Sequence, residues 1–368
     1  MPSVPMNSVK REASNINVFR AGLGAALFIS VQLPWLFQPA LNKLWEVLKV
    51  NFLFRASFFE TIWTILWYIV IELFYTSIVI NPQSQNLRLD PRPGIEHLYR
   101  NGTVKIVPWA KRLPELFTYV GPLLFLDLTM IKKYAGVSID QLLTSGGYST
   151  ASLGPSLHFF TGIAIRSTYL VPSLHNFSWS SPLQIERALP AFPPTSRAIA
   201  FDLIASLVLY DFLFFVPHVL LHRVPILYRN FHETHHHHSE IQPQVTNRLD
   251  VTERLMLLLA ANFALNLLGA HPITRVCFVP LFLALLIENH VGQDLPYSYD
   301  KILPLGMGAG PSVHALHHKH GMRHYQPYFT WADNLLWKIE HNSTRGIRKP
   351  KGSQATISSL RLRNAIQQ

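Results

Sequence analysis

The apolar positions of this chain fall in long, nearly uncharged blocks divided by polar, proline-rich stretches. Ala21 to Leu41 carries no charge and is long enough to cross a bilayer, with Pro34 and Pro39 expected to bend it. Thr61 to Ile80 is a stronger span whose single charge is Glu72. A carboxylate inside a membrane is either functional or held by a partner, and a hydrogen bond to a neighbour is the reading favoured here. Asn81 to Glu115 turns polar and carries Arg88, Arg92, Arg100, Lys105, Lys111 and Arg112, the pattern of a cytosolic loop. Leu116 to Ile131, with Asp127, and Leu157 to Leu170, with Arg166, are apolar but short. Either one of them crosses, or both lie at the interface or dip in and return. The number of crossings between residues 82 and 197 therefore stays open. After a proline-rich connector, Ser180 to Ser196, the block Ala198 to Leu221 predicts a long helix containing Asp202 and Asp211. Leu255 to Leu268 and Ile273 to Ile287 predict a helical hairpin, closed by a short turn in which His271 reads as a turn or interface residue.

The expected architecture is thus all-α, a polytopic membrane bundle. Composition supports it, with 49% hydrophobic and only 14% charged residues. The net charge of +11 could suggest nucleic acid, but no zinc-finger, RNP or basic-helix pattern accompanies it. The bases stand beside the apolar blocks instead, where they suit anionic lipid on the cytosolic side. A single cysteine, Cys277, excludes an internal disulfide and fits that compartment. The first apolar block lacks a small-residue cleavage signature, so it is expected to be retained as a span.

Histidine changes the picture most. His218-Val-Leu-Leu-His222, His232-Glu-Thr-His235-His236 and His314-Ala-Leu-His317-His318 give one HxxxH and two HxxHH patterns. On a helix, positions i, i+3 and i+4 share a face, so each cluster can aim its imidazoles at one point. With 18 His in 368 residues, roughly 0.04 copies of HxxHH are expected by chance, and two are present. A histidine-rich surface tract is the plain alternative, but the run His235 to His238 is internal and the clusters border apolar helices. Structural zinc takes four ligands, so eight imidazoles suit two metal ions better than one.

Topology places the three clusters together. The first two flank the end of the long helix. The chain then enters the bilayer as a hairpin whose limbs are about 25 Å long at 1.5 Å per residue. An even number of crossings returns it to the same side at Glu288-Asn-His290, shortly before the last cluster. His290 is therefore a ninth candidate ligand. His237, His238, His320 and His324 have no such spacing argument and read as outlying or solvated. Metal-bound histidines need a partner on the outer ring nitrogen, and Asp211, Glu253, Glu288 and Asp333 are the carboxylates expected there. The basic C-terminal segment, with Lys301, Lys319, Arg323 and Lys338 among others, assigns the histidine side to the cytosol.

Neutral imidazole suits iron, zinc, copper and nickel alike. A histidine cage without cysteine is excessive for hydrolysis at one zinc and fits a pair of irons that use dioxygen. At this point the chain resembles the fatty acid hydroxylase superfamily, which includes sterol desaturases, C-4 methylsterol oxidases and sphingolipid hydroxylases. The histidine set carries the resemblance, with Pro225-Ile-Leu-Tyr-Arg-Asn-Phe-His232 like the family's Pro-x-Leu-Tyr-x-x-Phe-His. Asp294-Leu-Pro after His290 is similar to its Asp-x-Pro, and Tyr325 through Asp333-Asn-Leu to its Asn-Tyr-Gly … Trp-Asp-x-Leu. The match covers Asp211 to Trp337. It departs at Asp250-Val-Thr-Glu253 for His-Pro-x-Glu, at His324-Tyr-Gln326 for Asn-Tyr-Gly, and at Glu233 for Lys. These departures leave the histidines intact and leave the substrate open.

The resemblance implies a multi-pass enzyme of the endoplasmic reticulum membrane with a cytosol-facing histidine-rich cap. It implies two iron ions (zinc can replace them in recombinant protein), dioxygen, and electrons from NAD(P)H. Those electrons are expected through a separate donor, cytochrome b5 or its reductase, because the first soluble stretch is too short for a fused b5 domain. The substrate is expected to be hydrophobic, a lipid, sterol or terpenoid, with membrane lipid around it. Hydroxylation and desaturation share hydrogen abstraction and differ in placement, so the outcome is open. The expected division is N-terminal spans over 1–195, the catalytic domain over 196–340 and a basic tail over 341–368. Two rivals compete. His232-Glu233-Thr-His235-His236 also reads as HExxH, the zincin signature with Glu233 as general base. A histidine-rich metal transporter would need polar residues along its spans, for which Asp202 and Asp211 are the best candidates.

Overall fold

The structure, a computed structural model, describes residues 6–89, 107, 109–138, 141–142, 174, 183–237 and 241–347. Its regular elements are helices, and only isolated bridges stand where strands could be among these residues. The segment Leu157 to Leu170, most of the loop from Arg92 to Lys105 and residues beyond Ile347 lie outside the described residues.

Three helices are long and apolar enough to cross a membrane: α3 (Phe59–Ile80), α5 (Ser196–Arg223) and α7 (Pro272–Asn289). Near the N-terminus, α1 (Met6–Gln32) and α2 (Pro34–Leu48) form a pair bent by 79°, which makes a fourth span if the pair is one. The bend falls at Pro34, as its missing N–H and fixed φ require. Large apolar side chains such as Leu66, Phe74, Phe201 and Phe212 are exposed along α3 and α5, where water would not tolerate them and lipid would.

The remaining helices are α4 (Leu113–Thr129), α6 (Val251–Leu267), α8 (Gly310–His320) and α9 (Trp331–Ile347). Contacts divide the chain into two compact units, Met1–Thr330 and Trp331–Gln368, and α9 belongs to the second. In the first unit, Tyr210, Ala264, Ile287 and Tyr328 form the centre of one apolar core.

Side-chain caps start α5, α6 and α7. Thr195 Oγ1 accepts from Ala198 N at 3.1 Å to cap α5, and Asp250 Oδ1 accepts from Thr252 N at 2.8 Å to cap α6. His271 caps α7, its Nδ1 accepting from Ile273 N at 3.1 Å while Nε2 donates to the Phe192 carbonyl at 3.2 Å. The expected turn residue is thus a helix cap preceding Pro272. The hairpin α6–α7 is joined at Gly269, whose φ of 61° lies in the region glycine favours.

Buried charge fastens the end of the hairpin away from the histidines. Glu60 at the start of α3 accepts from Arg187 Nη1 at 2.8 Å, Lys132 Nζ at 2.8 Å and, from the first turn of α7, Arg275 Nη1 at 3.4 Å. Asp127 accepts from Thr61 Oγ1 at 2.7 Å and pairs with Lys132 at 2.5 Å. Glu72, the carboxylate inside the second apolar block, pairs with Arg112.

Candidate metal centre

Nine imidazoles meet where α5, α7 and α8 end or begin. They form two groups, His218, His222, His232, His236 and His317 in one, and His235, His290, His314 and His318 in the other. Within each group the ring nitrogens lie within 4.8 Å of one another. These are the nine histidines singled out from the sequence, and among the described residues no carboxylate joins either group. His237 and His320 are exposed, His324 is half-buried, and none of the three enters a group. His238 lies outside the described residues.

The helix rotation explains the division. Each residue turns about 100°, so i and i+4 differ by about 40°, whereas i+3 and i+4 differ by about 100°. His232 and His236 accordingly share one group while His235 turns to the other. In the second HxxHH, His314 and His318 share the other group and His317 turns back to the first. The two motifs interlock, each giving a pair to one group and a single ring to the next. His218 and His222, also i and i+4, complete the five, and His290 at the end of α7 completes the four.

The first HxxHH is reached by unusual backbone. Pro225 opens a short turn, and Tyr228–His232 is a π-helical turn that runs into Glu233–His236. Such turns carry a residue more than an α-turn and concentrate at functional sites. After the second HxxHH, Gly321 at φ 65° ends α8, its N–H donating to the His317 carbonyl at 2.7 Å.

Three outer ring nitrogens donate to backbone carbonyls. His218 Nδ1 donates to the Tyr325 carbonyl at 2.6 Å, His317 Nδ1 to the Arg323 carbonyl at 2.9 Å and His290 Nδ1 to the Leu286 carbonyl at 2.9 Å. His232 Nδ1 lies 2.9 Å from Glu253 Oε1. A proton on Nδ1 leaves Nε2 as a bare lone pair. Across both groups Nε2 atoms face one another: His222 and His232 at 2.8 Å, His232 and His236 at 3.0 Å, His290 and His314 at 3.0 Å, His314 and His318 at 3.0 Å. Buried His317 Nε2 meets no hydrogen-bond partner.

Converging lone pairs repel unless a cation lies between them. Protons do not supply it, because burial, reinforced by neighbouring imidazoles, holds these rings neutral. His232 is pushed down to about 2, and His235, His314, His317 and His318 lie well below the usual histidine value. The donor set therefore fits two metal ions, each in a nitrogen-only nest.

The expected outer carboxylates occupy distinct positions. Glu253, in the first turn of α6, reaches His232. Glu288 accepts from Tyr75 Oη at 2.6 Å and from Tyr299 N at 2.7 Å, two residues before His290. Asp211 accepts from Tyr328 N at 2.6 Å and Phe329 N at 3.2 Å. Asp333 stands on α9 in the second unit. The carbonyls of Arg323, Tyr325 and Leu286 escaped the sequence reading, because every residue carries a carbonyl and none is marked by its side chain.

Comparison with known proteins follows the same residues. The family model for fatty acid hydroxylase matches residues 203–337. The chain is similar to a cholesterol 25-hydroxylase-like protein of Danio rerio, 39% identical over 143 residues, covering 39% of this chain and 57% of that protein. It is similar to cholesterol 25-hydroxylase of Homo sapiens, 36% identical over 148 residues, covering 40% of this chain and 54% of that one. A cholesterol 25-hydroxylase-like protein of Caenorhabditis elegans is 26% identical over 179 residues, covering 47% and 59%. The chain thus spans about half the length of the curated relatives it matches. No solved structure matches it.

Proposed function

We propose that the chain, whose residues 203–337 match the family model for fatty acid hydroxylase, is a membrane-bound, dioxygen-dependent di-iron hydroxylase acting on a C–H bond of a sterol-like lipid. The observation that carries the reading is the pair of adjacent nitrogen-only nests, five imidazoles beside four. His218, His222, His232, His236 and His317 would hold one iron, and His235, His290, His314 and His318 the other. Two irons bound there would supply the redox chemistry for activating dioxygen at a site built from neutral ligands. The balance is one C–H bond, one dioxygen, two electrons and two protons, giving an alcohol and water.

The protein's own part is to hold and exclude. His232 and His317 are cut off from solvent, and backbone carbonyls orient the rings of His218, His290 and His317. The apolar spans would deliver a hydrophobic substrate from the bilayer. Electrons would come from NAD(P)H through a separate donor, cytochrome b5 or its reductase, on the cytosolic face of the endoplasmic reticulum. The relatives named for cholesterol hydroxylation favour hydroxylation over desaturation and a sterol over other lipids.

The hydrolytic alternative rests on Glu233. That side chain is exposed, while His232 beside it is buried, so it is poorly placed to act as general base on a metal-bound water. The test is reconstitution in lipid nanodiscs with iron, reductant and a sterol mixture under labelled dioxygen. The expected product gains one labelled oxygen atom. Turnover without dioxygen, or metal content below two per chain, would overturn the reading.

A further inference from the structure

We infer that Asp211 is a positioning residue for one of the two metal nests, acting through the backbone of residues 323–329. This rests on the two-metal reading above and extends it to an inequality between the nests. Asp211 lies on α5 seven residues before His218, two turns away on nearly the same face, about 10 Å along the axis. It is fully buried. Its Oδ1 accepts from Tyr328 N at 2.6 Å and Phe329 N at 3.2 Å, and its Oδ2 accepts from Gln326 Nε2. The carboxylate therefore anchors the segment from its C-terminal side.

The other end of that segment supplies two carbonyls. Arg323 takes the Nδ1 proton of His317 and Tyr325 takes that of His218. His324 stands between them at φ 63°, in the left-handed region that a non-glycine residue occupies at a cost. A strained residue between two oriented carbonyls persists only where its flanks are held. Gly321 secures one flank by ending α8, and Asp211 secures the other. Both rings so oriented belong to the five-histidine nest. In the four-histidine nest, the ring of His290 takes its carbonyl from its own helix, at Leu286, and the segment reaches that helix end only beside it, where Asn289 Nδ2 donates to the Pro327 carbonyl at 2.5 Å. Weakening Asp211 should loosen one ion and spare the other.

The test uses the full chain in detergent, loaded with Co(II) and titrated with a chelator under anaerobic conditions. Metal per chain and the Co(II) absorption spectrum are read together. The wild type is expected to release two ions. In Asp211→Asn, one ion should leave at about 10- to 100-fold lower chelator, the range seen when outer partners of metal ligands are removed. Its absorption bands should shift, while the second ion behaves as in the wild type. Gln326→Ala removes one of the anchoring donors and should move the same ion in the same direction by less. It decides the matter if Asp211→Asn does not fold. Both ions unchanged, or both weakened equally, overturns the positioning role. A wild type that binds fewer than two ions overturns the two-metal reading instead.

Discussion

Glu253 Oε1 stands 2.9 Å from His232 Nδ1, and both side chains are sealed from solvent. Glu253 belongs to the first turn of α6, so the contact ties the incoming limb of the membrane hairpin to the first HxxHH. Glu253→Gln keeps the shape and exchanges the carboxyl group for an amide. The expected outcome is a folded protein whose affinity for one ion falls about 10- to 100-fold, measured by chelator competition. Unchanged affinity would remove Glu253 from the metal centre.

The interlocked motifs predict a cross-over in metal content. His232→Ala should weaken the ion of the five-histidine nest and His235→Ala that of the other, although both residues lie in one motif. Likewise His317→Ala should resemble His232→Ala, and His314→Ala should resemble His235→Ala. Each variant should retain about one ion per chain and lose turnover, by metal analysis beside product formation. Identical loss of the same ion in His232→Ala and His235→Ala would refute the division.

Glu233 separates oxygenase from hydrolase. Because it is exposed, Glu233→Gln should change folding stability by about 0.5 kcal/mol or less and turnover by about twofold. A metal-loaded Glu233→Gln protein without activity would restore the general-base reading.

Acid should release the metals. His232 is held at about 2 in the fold against about 6.5 in an unfolded chain. Its folded value is depressed, so the unfolded state binds the extra proton. The neutral ring's contribution is complete above about 6.5 and is lost as pH falls from there toward 2. The thermal midpoint and the metal content should therefore decline together below about pH 6.5. A midpoint independent of pH between 7 and 4 would contradict this.

The hairpin predicts sidedness. Glu253 near its start and His290 at its end both reach the histidines, so the Gly269 turn should face the lumen. A glycosylation tag in that turn should be modified. A tag at Leu305, which is 96% exposed beyond Tyr299 and Glu288, should not. The opposite pattern would place the centre on the lumenal side.

The histidine set was legible in the sequence because i, i+3 and i+4 spacing is a local property of one helix. His290 was legible only through the parity of crossings. The division into two nests was harder to see, since it needs the relative rotation of two helices far apart in the chain. Distance along the chain also hid the buried charges: Glu60 meets Arg275 across 215 positions, and no short motif marks either residue. Glu72 could be read as needing a partner, but its Arg112 lay in the loop assigned to the cytosol. Asp211 was expected at a ring nitrogen; it accepts from the N–H groups of Tyr328 and Phe329, a contact to backbone that no side-chain motif marks.

The exchange of single rings between the two HxxHH helices bears on how the centre is assembled in time. Whichever ion arrives first draws on both helical arms, and in doing so sets the rotation of the arms for its successor. A chain holding one ion should therefore keep both arms ordered and its remaining nest intact, so a metal lost from one nest can be replaced without rebuilding the centre.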